Sequence, residues 1–557
     1  MASAEGVLQG HVKLWNRRIR IGEVPTWHVD PISGFAWPTD RPVRVSPTLG
    51  PPGALRRVWE LNRMRWVHDL ALAQRVSGRP EFLEAGWRQI TGWVDANRPG
   101  MGVNWASPLE MAVRVLSWFA FMEITRSCPP EETHDRFWGC VAAQAGHTAW
   151  NLSLRPTPNN HLAGEALLIL AVGVQCPWMP GAQPWARLGR DLLVWAIDFN
   201  ILRDGAPAEG STGYLSFVLE MYAAAERLLL LGELRPFPRK VRDRLDAARE
   251  ILDTFSARGL GVPTIGDSDD AALFPGYMPT QCPNAPPEDA CSLVATGADK
   301  QQNEVREEHD QDPASRVDYG DLSCDSFTLA TRGAFTVLCA GGRLGLPPTY
   351  GHAHAHALSV LVWFQDEPLV IDPGTFSYEE QPWREYFRST AAHSTVEVEA
   401  VSQAMPGHGF VWRAPYGCRV AQIPSGDAWE LRGSHDGYQR LPQRVRHGRR
   451  VRLTESGLII EDALYGHAPF TACLQWHLHP AWEVEVTRQN TAVITHASNV
   501  LRLCVMGPGR MAPYRGSLDP ILGWYSPTFE AREPTTTLRM EARESAIRWT
   551  TTLRAVG

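Results

Sequence analysis

The sequence predicts an α+β multidomain protein, an N-terminal (α/α) toroid of helical hairpins followed by a C-terminal antiparallel β-sandwich. Three observations predict it. Between Leu55 and Ala257 apolar residues recur at helical spacing in segments of similar length, joined by short Pro/Gly-rich stretches. After about Asp321 the apolar period shortens towards two, with turn signals at short intervals. No strict internal repeat runs through the helical half, which favours a closed toroid over an open array.

The elements follow in order. Residues 1–52 are rich in Pro, Gly and Trp, lack helical periodicity and read as an irregular arm. Helices are expected at Leu55–Ser77, Pro80–Asn97, Pro108–Ile124 and Pro130–Leu154, then at His161–Gln175, Pro184–Leu202, Ser211–Leu231 and Pro238–Ala257. The polar stretch 280–316 reads as a mobile loop near a domain junction. Strands are expected at Phe327–Thr331, Phe335–Ala340, Leu358–Trp363, Thr395–Val401 and Trp429–Gly433. Further strands are expected at Val451–Leu453, Leu458–Ile460, Ala472–His477, Ala492–Thr495 and Leu501–Val505. The resulting domains are an arm at 1–52, a toroid at 53–320 and a sandwich at 321–557.

Composition bounds the function. At 557 residues, 44% hydrophobic and 21% charged, the chain has apolar material for large cores. A net charge of -7 argues against general nucleic-acid binding, while leaving room for a locally basic cleft. The 22 Trp suit stacking on sugar faces, although most are expected in the core. Ten cysteines show no CxxC pair and no zinc-finger spacing; buried free thiols are the default, with one Cys282–Cys291 bridge left open. No signal peptide and no apolar run of membrane-spanning length are visible. A cytoplasmic location is therefore expected, or a periplasmic or secreted one if a leader has been removed.

One stretch points to chemistry: Gly351-His352-Ala353-His354-Ala355-His356, running into apolar sequence that ends in Val370-Ile371-Asp372-Pro373-Gly374. On an extended backbone His352, His354 and His356 project to one side. Three imidazoles together ligate a metal or move protons near neutral pH.

Four separated motifs resemble the heparinase II/III-like polysaccharide lyases, and also alginate lyases of the same fold. They are Pro158-Asn159-Asn160-His161-Leu162-Ala163-Gly164-Glu165; Asp204-Gly205 with Gly210-Ser211-Thr212-Gly213-Tyr214 and Glu220-Met221-Tyr222; the triple-His stretch with Ile371-Asp372-Pro373-Gly374-Thr375; and Arg388-Ser389-Thr390-Ala391-Ala392-His393-Ser394. Supporting fragments include Gly102-Val103-Asn104-Trp105 and Ile265-Gly266-Asp267-Ser268-Asp269-Asp270. The resemblance spans roughly residues 50 to 480 in the expected order. His356 departs from it, because that position often carries an acid.

The resemblance implies β-elimination at a uronic acid of a glycosaminoglycan such as heparin, heparan sulfate, hyaluronan or chondroitin sulfate. The C5 proton is removed, the 4-linked oxygen departs, and a 4,5-unsaturated end remains. A neutraliser beside the carboxylate stabilises the enolate-like intermediate, a base takes the proton and an acid serves the leaving oxygen. Asn160 fits the neutraliser, with a helix N-cap as its plainer role. His161, Tyr214 and His352 are the other catalytic candidates. His354, Asp372 and His393 are implied as ligands of a structural metal, zinc by the donor set, and no organic cofactor is implied. Asn104, Trp105, Arg114 and Glu165 are candidate substrate contacts, Trp105 by stacking and Arg114 by pairing with carboxylate or sulfate. Glu110 is a further cleft candidate, with packing favoured. The expected partner is an anionic polysaccharide or oligosaccharide, not nucleic acid or membrane, with a homo-oligomer left open. Rival readings are an alginate or exopolysaccharide lyase, a non-catalytic glycan-binding protein, and a metal-dependent hydrolase, the last lacking paired carboxylates.

Overall fold

A computed structural model describes residues 1–43, 55–274, 321–425, 428–487 and 490–556. The polar stretch 280–316 and the Cys282–Cys291 pair lie outside the described residues. The chain divides into two compact units, one made of 1–200, 215–249 and 271–315, the other of 201–214, 250–270 and 316–557.

The N-terminal stretch departs from the irregular arm expected of it. It opens with helix α1 (Ala2–Leu8) and a hairpin of β1 (His11–Leu14) and β2 (Arg17–Arg20). Ala4, Val7, Val12 and Leu14 are buried, so a short apolar face suffices where length hid the period.

The first unit is helical: α2 (Leu55–Asn62), α3 (Val67–Ser77), α4 (Pro80–Ala96), α5 (Pro108–Thr125), α6 (His134–Trp150), α7 (Asn160–Gln175) and α8 (Ala182–Asn200). Helices α9 (Thr212–Leu231) and α10 (Arg239–Ala257) are each cut by the division between units. The single helix expected at Leu55–Ser77 breaks in two, because Met64 takes a left-handed φ of 54°. Pro80 and Pro108 start α4 and α5 at the first turn, where a missing N–H costs nothing. Gly78 ends α3 in the left-handed conformation, φ 70°. Helices α5 and α7 are buried on nearly every side, which explains their all-round apolar composition.

The second unit carries two sheets. The first is an antiparallel meander of β3 (Leu322–Ser323), β4 (Phe327–Arg332), β5 (Phe335–Ala340), β6 (Val360–Phe364) and β7 (Glu367–Val370). After helix α11 (Trp383–Arg388) come β8 (Val396–Val398) and the short pair β9 (Met405–Pro406) and β10 (Trp412–Ala414). The second sheet uses β11 (Cys418–Ile423), β12 (Trp429–His435), β13 (Arg446–Thr454), β14 (Gly457–His477), β15 (Glu483–Val486), β16 (Thr491–His496) and β17 (Asn499–Met506). It continues with β18 (Arg510–Arg515) and, after short ladders β19 to β22 between Ser517 and Pro534, β23 (Thr536–Ala555). Its order is β11-β12-β13-β14-β23-β17-β16-β15, with β18 on β23 and β8 on β14.

The inward faces share one core, in which Val337, Val362 and Phe364 of the meander join Leu431, Val451, Leu474 and Leu553 of the larger sheet. The stretches Leu458–Ile460 and Ala472–His477 are one strand, β14, whose register shifts between Tyr465 and Phe470. The segments 201–214 and 250–270 belong here through Ala206, Ile251, Phe255 and Ile265, which pack with Phe327, Leu338 and Trp363. Eight described cysteines are free. No helix among the described residues is long and apolar enough to cross a membrane.

Candidate active site

The triple-His stretch is a buried loop, not a strand. Residues 352–364 are all buried, which removes the alternation a strand would show, and Leu358 turns the chain with φ 61°. The loop is tied by Ala355 N donating to Arg388 O at 3.0 Å and by Ala353 O accepting from Trp412 Nε1 at 2.9 Å.

Asp267 joins the loop to the chain segment before it. Its Oδ2 lies 3.2 Å from His352 Nδ1 and its Oδ1 lies 2.9 Å from His354 Nε2. Arg384 forks onto the same carboxylate, with Nη2 at 2.9 Å from Oδ2 and Nη1 on Oδ1. Burial opposes the Asp267 charge, yet Arg384 and the two histidines outweigh it and hold the carboxyl well below its usual range. Gly266 makes the approach possible: at φ +69° a Cβ would stand 2.3 Å from Gly210 O and 2.9 Å from His352 O.

Tyr214 belongs to this unit and stacks on His352, ring centroids 3.9 Å apart at 26°. Ser211 fixes the turn beneath it: its Oγ accepts from Tyr214 N at 3.0 Å and donates to Asp267 O at 2.5 Å. The Tyr214 hydroxyl meets that of Tyr378 at 3.1 Å. Burial, then the neighbouring phenol and the acids Asp269 and Asp267, push the Tyr378 hydroxyl well above its usual pKa, so it keeps its proton. For His352 burial lowers the pKa, but the Asp267 hydrogen bond and the acids Glu209, Asp267 and Asp269 outweigh it and raise it overall. Glu209 Oε2 lies 3.7 Å from His352 Nε2. An imidazole whose charged form is favoured, a phenol stacked on it and a second phenol thus converge.

Behind His352, the residues His354, Asp372 and His393 bring one ligand atom each within 4.8 Å of one another. His354 Nε2 donates to the charged Asp267, which leaves Nδ1 a lone pair; His393 Nδ1 donates to Ser389 O at 2.7 Å, which leaves Nε2 a lone pair. These bare nitrogens face each other at 3.3 Å, and Asp372 Oδ2 lies 3.4 Å from His393 Nε2. Two bare nitrogens and a carboxylate oxygen pointing at one another repel unless a cation or a carboxyl proton sits among them, and the donor set fits a metal. Without one, burial pushes Asp372 up to about 8 and holds His393 well below its usual pKa. His356, the departure from the expected acid, is buried with its Nδ1 unpartnered, and burial followed by His354 lowers its pKa to about 3.

The backbone on both sides is clamped. Arg449 Nη1 donates to Leu358 O and Ser394 O, each at 2.7 Å, just past the loop that carries His354 and just past His393. Its other nitrogens hold Asp462 at 2.8 and 3.0 Å, and Asp462 also accepts from His447 at 2.7 Å. Burial would raise Asp462, but Arg449 and His447 bring it to about 2.

In the first unit Asn160 opens α7 and is fully buried. The N-cap is Asn159, whose side chain accepts from His161 N at 3.2 Å, so Asn160 is not needed as the cap. His161 is half-buried and lies in electrostatic range of Glu110. Burial would raise the Glu110 carboxyl, but Arg63, which forks onto it at 2.7 and 2.9 Å, outweighs burial with help from Arg56 and His161 and holds it at about 2.

The four expected substrate contacts are all buried. Asn104 donates to Trp27 O and Asn97 Oδ1, at 3.0 and 2.9 Å. Arg114 is fully buried over the Trp93 ring and donates to Gln144, Asn62 O and Asn104 O. Trp105 is buried edge-on against His147. Both Glu165 oxygens accept from Ser153, at 2.6 Å each. Side-chain type suggested sugar binding at these positions; in the fold all four are buried among these partners. Tyr378, Arg384 and Glu209 were missed by sequence reasoning; Asp267 stood in a quoted fragment, but only its convergence with two histidines reveals its place.

Residues 53–274 match the heparinase II/III N-terminus and residues 326–550 the heparinase II/III-like C-terminal family. A heparin-sulfate lyase of Bacteroides stercoris is 20% identical over 544 residues, 89% of this chain and 75% of that protein. A heparin-sulfate lyase of Pedobacter heparinus is 24% identical over 222 residues, 38% of this chain and 32% of its own. Among solved structures, a heparinase III superposes with a TM-score of 0.70 at 14% identity, covering 100% of this chain and 84% of that one. With both halves matched in order and the fold shared, the chain belongs to the heparinase II/III-like family.

Proposed function

We propose that the chain is a polysaccharide lyase that cleaves a uronate-containing glycosaminoglycan, of the heparin and heparan sulfate class, by β-elimination. The observation that carries this reading is the Tyr214 ring stacked at 3.9 Å on a His352 whose charged form is favoured. Elimination needs positive charge where the enolate develops and an oxygen base or acid at the reacting carbon; these two rings supply both. Tyr214 takes the C5 proton or serves the departing oxygen. Tyr378 donates a hydrogen bond to the Tyr214 oxygen when that oxygen is left negative. His352, whose charged form is favoured, is assigned to the uronate carboxylate in this reading and is the less apt base. Asn160 and His161 are assigned to carboxylate neutralisation and proton transfer by their motif, each testable by its own variant.

The metal at His354, Asp372 and His393 is zinc in this reading, since two imidazoles and a carboxylate suit that ion. Bound there, it supplies structural charge, not reaction chemistry. His354 then holds Asp267, and Asp267 holds His352.

The test is growth of ultraviolet absorbance from 4,5-unsaturated uronyl ends on a panel of heparin, heparan sulfate, hyaluronan, chondroitin sulfates and alginate. Product is expected from heparan sulfate, and Tyr214→Phe is expected to lower kcat by about 10² or more with KM little changed. No unsaturated product from any polymer, or wild-type turnover in Tyr214→Phe, overturns the reading.

A further inference from the structure

The outward face of the larger sheet is strongly basic, although the chain carries a net charge of -7. Directly opposed residues of antiparallel strands share a face, so the ladder registers identify it. Leu431, Val451, Ile460 and Leu553 point into the core, and their strand neighbours point out. Arg419 of β11, Arg432 of β12 and Arg446, Arg450 and Arg452 of β13 all stand on the outward side. Arg548 and Arg554 of β23 and Arg502 of β17 continue the same face.

Among these arginines the face carries two acids, Glu430 and Glu461, both already paired; beyond the β14 register shift Glu541 of β23 shares the face and accepts from Arg539 at 3.3 Å. Glu430 accepts from Arg432 at 3.0 Å and from Arg450 at 2.8 and 2.7 Å, and Glu461 accepts from Arg450 at 3.1 Å. Asp436, just past β12, accepts from Gly417 N at 2.7 Å. The basic zone ends at the far edge, where Glu483 and Glu485 of β15 take over. Between the guanidiniums the floor is low: Ser434, Gly448 and Ala463 lie opposite one another across β12, β13 and β14. Tyr465, 46% exposed, offers a ring at one margin, with the Arg548 guanidinium 5.7 Å above it.

We propose that this face binds a sulfated, uronate-bearing polysaccharide chain, as an ancillary site that holds a long substrate remote from the reacting rings. All of the positive charge is arginine, whose planar fork matches sulfate and carboxylate oxygens, and an exposed tyrosine suits a sugar ring. From Arg419 to Arg548 the face crosses four strand spacings, about 19 Å, an extended track rather than a point contact. The choice of polymer rests on the lyase reading; binding to the face is measured without turnover, so the two fail separately.

The test compares three full-length proteins for affinity towards long heparan sulfate, and for turnover of a short oligosaccharide of the same polymer. They are wild type, a face variant (Arg419→Thr, Arg432→Thr, Arg446→Thr, Arg548→Thr), and a control with the same charge change on exposed helical positions (Arg88→Gln, Arg187→Gln, Arg239→Gln, Arg242→Gln). The face variant is expected to bind the long chain about tenfold or more weakly at about 0.1 M salt, with a shallower salt dependence, while its turnover of the short substrate stays within about twofold of wild type. The control should match wild type, and the corresponding four Arg→Lys changes should restore most of the affinity. Unchanged affinity in the face variant, an equal loss in the control, or wild-type binding of duplex DNA or anionic vesicles as tight as that of heparan sulfate overturns the proposal. If the face variant does not fold, single Arg419→Thr and Arg432→Thr proteins decide by the same comparison.

Discussion

Glu165 shows how burial redefines a residue that sequence alone makes plausible for binding. On α7, one turn after His161, it has the side chain of a sugar contact, yet its carboxylate is buried and accepts two bonds from Ser153. Burial outweighs those bonds and raises its pKa to about 7. The sign follows from linkage. The folded state keeps the proton to higher pH than the unfolded chain, so stability is lost as pH rises from the ordinary carboxylate range through about 7. A shift from 4.5 to about 7 corresponds to roughly 3 kcal/mol. Glu165→Gln, which mimics the protonated form, is expected to flatten this part of the urea-unfolding stability profile between about pH 5 and 8. A variant profile parallel to wild type would refute it. At this scale the motif residues were legible because their order along the chain is distinctive. Arg114 and Asn104 were not, because sequence does not tell a guanidinium or amide bound to backbone carbonyls from one facing a cleft.

At the scale of elements the clearest structural device is the β13–β14 pair. It places Arg449 opposite Asp462 and behind the two segments that carry the histidine ligands. By residue type Arg449 reads from sequence as solvent-facing, but it shares the phase of Val451 and Leu453; it is 3% exposed and points inward. The strands themselves were legible from their period, but this inward charge needed the register. Replacing Arg449 by Met leaves the Asp462 charge buried with only His447 for company. A loss of about 3–5 kcal/mol is expected in urea unfolding, and replacing Asp462 by Asn as well should recover part of it. A single variant as stable as wild type would show that the clamp contributes little. The triple-His loop carries the converse lesson: alternating histidines suggested an extended backbone leading into the strand, but neighbouring carbonyls and the turn at Leu358 give a buried loop.

For the whole molecule, the helical half and the β half were legible because their apolar periods differ, and the interleaving of the two units was not. The metal site belongs at this scale, since its ligands come from segments either side of the meander's end and α11. Prolonged chelation is expected to lower the thermal midpoint by several degrees, and added zinc to restore it, with about one equivalent retained on metal analysis. His393→Ala should retain none and show no response to chelator; an equal chelator response in that variant would exclude this site. The second unit also gathers its chain from far apart. Tyr214 meets Tyr378 across a separation of 164 residues, and β23 lies in the middle of the larger sheet although it is the last strand along the described chain. On the ribosome, therefore, the sheet cannot close until β23 has emerged. The edges of β14 and β17 that it joins stay unpaired until then, so two part-sheets, β11 to β14 and β15 to β17, wait for one late strand to unite them.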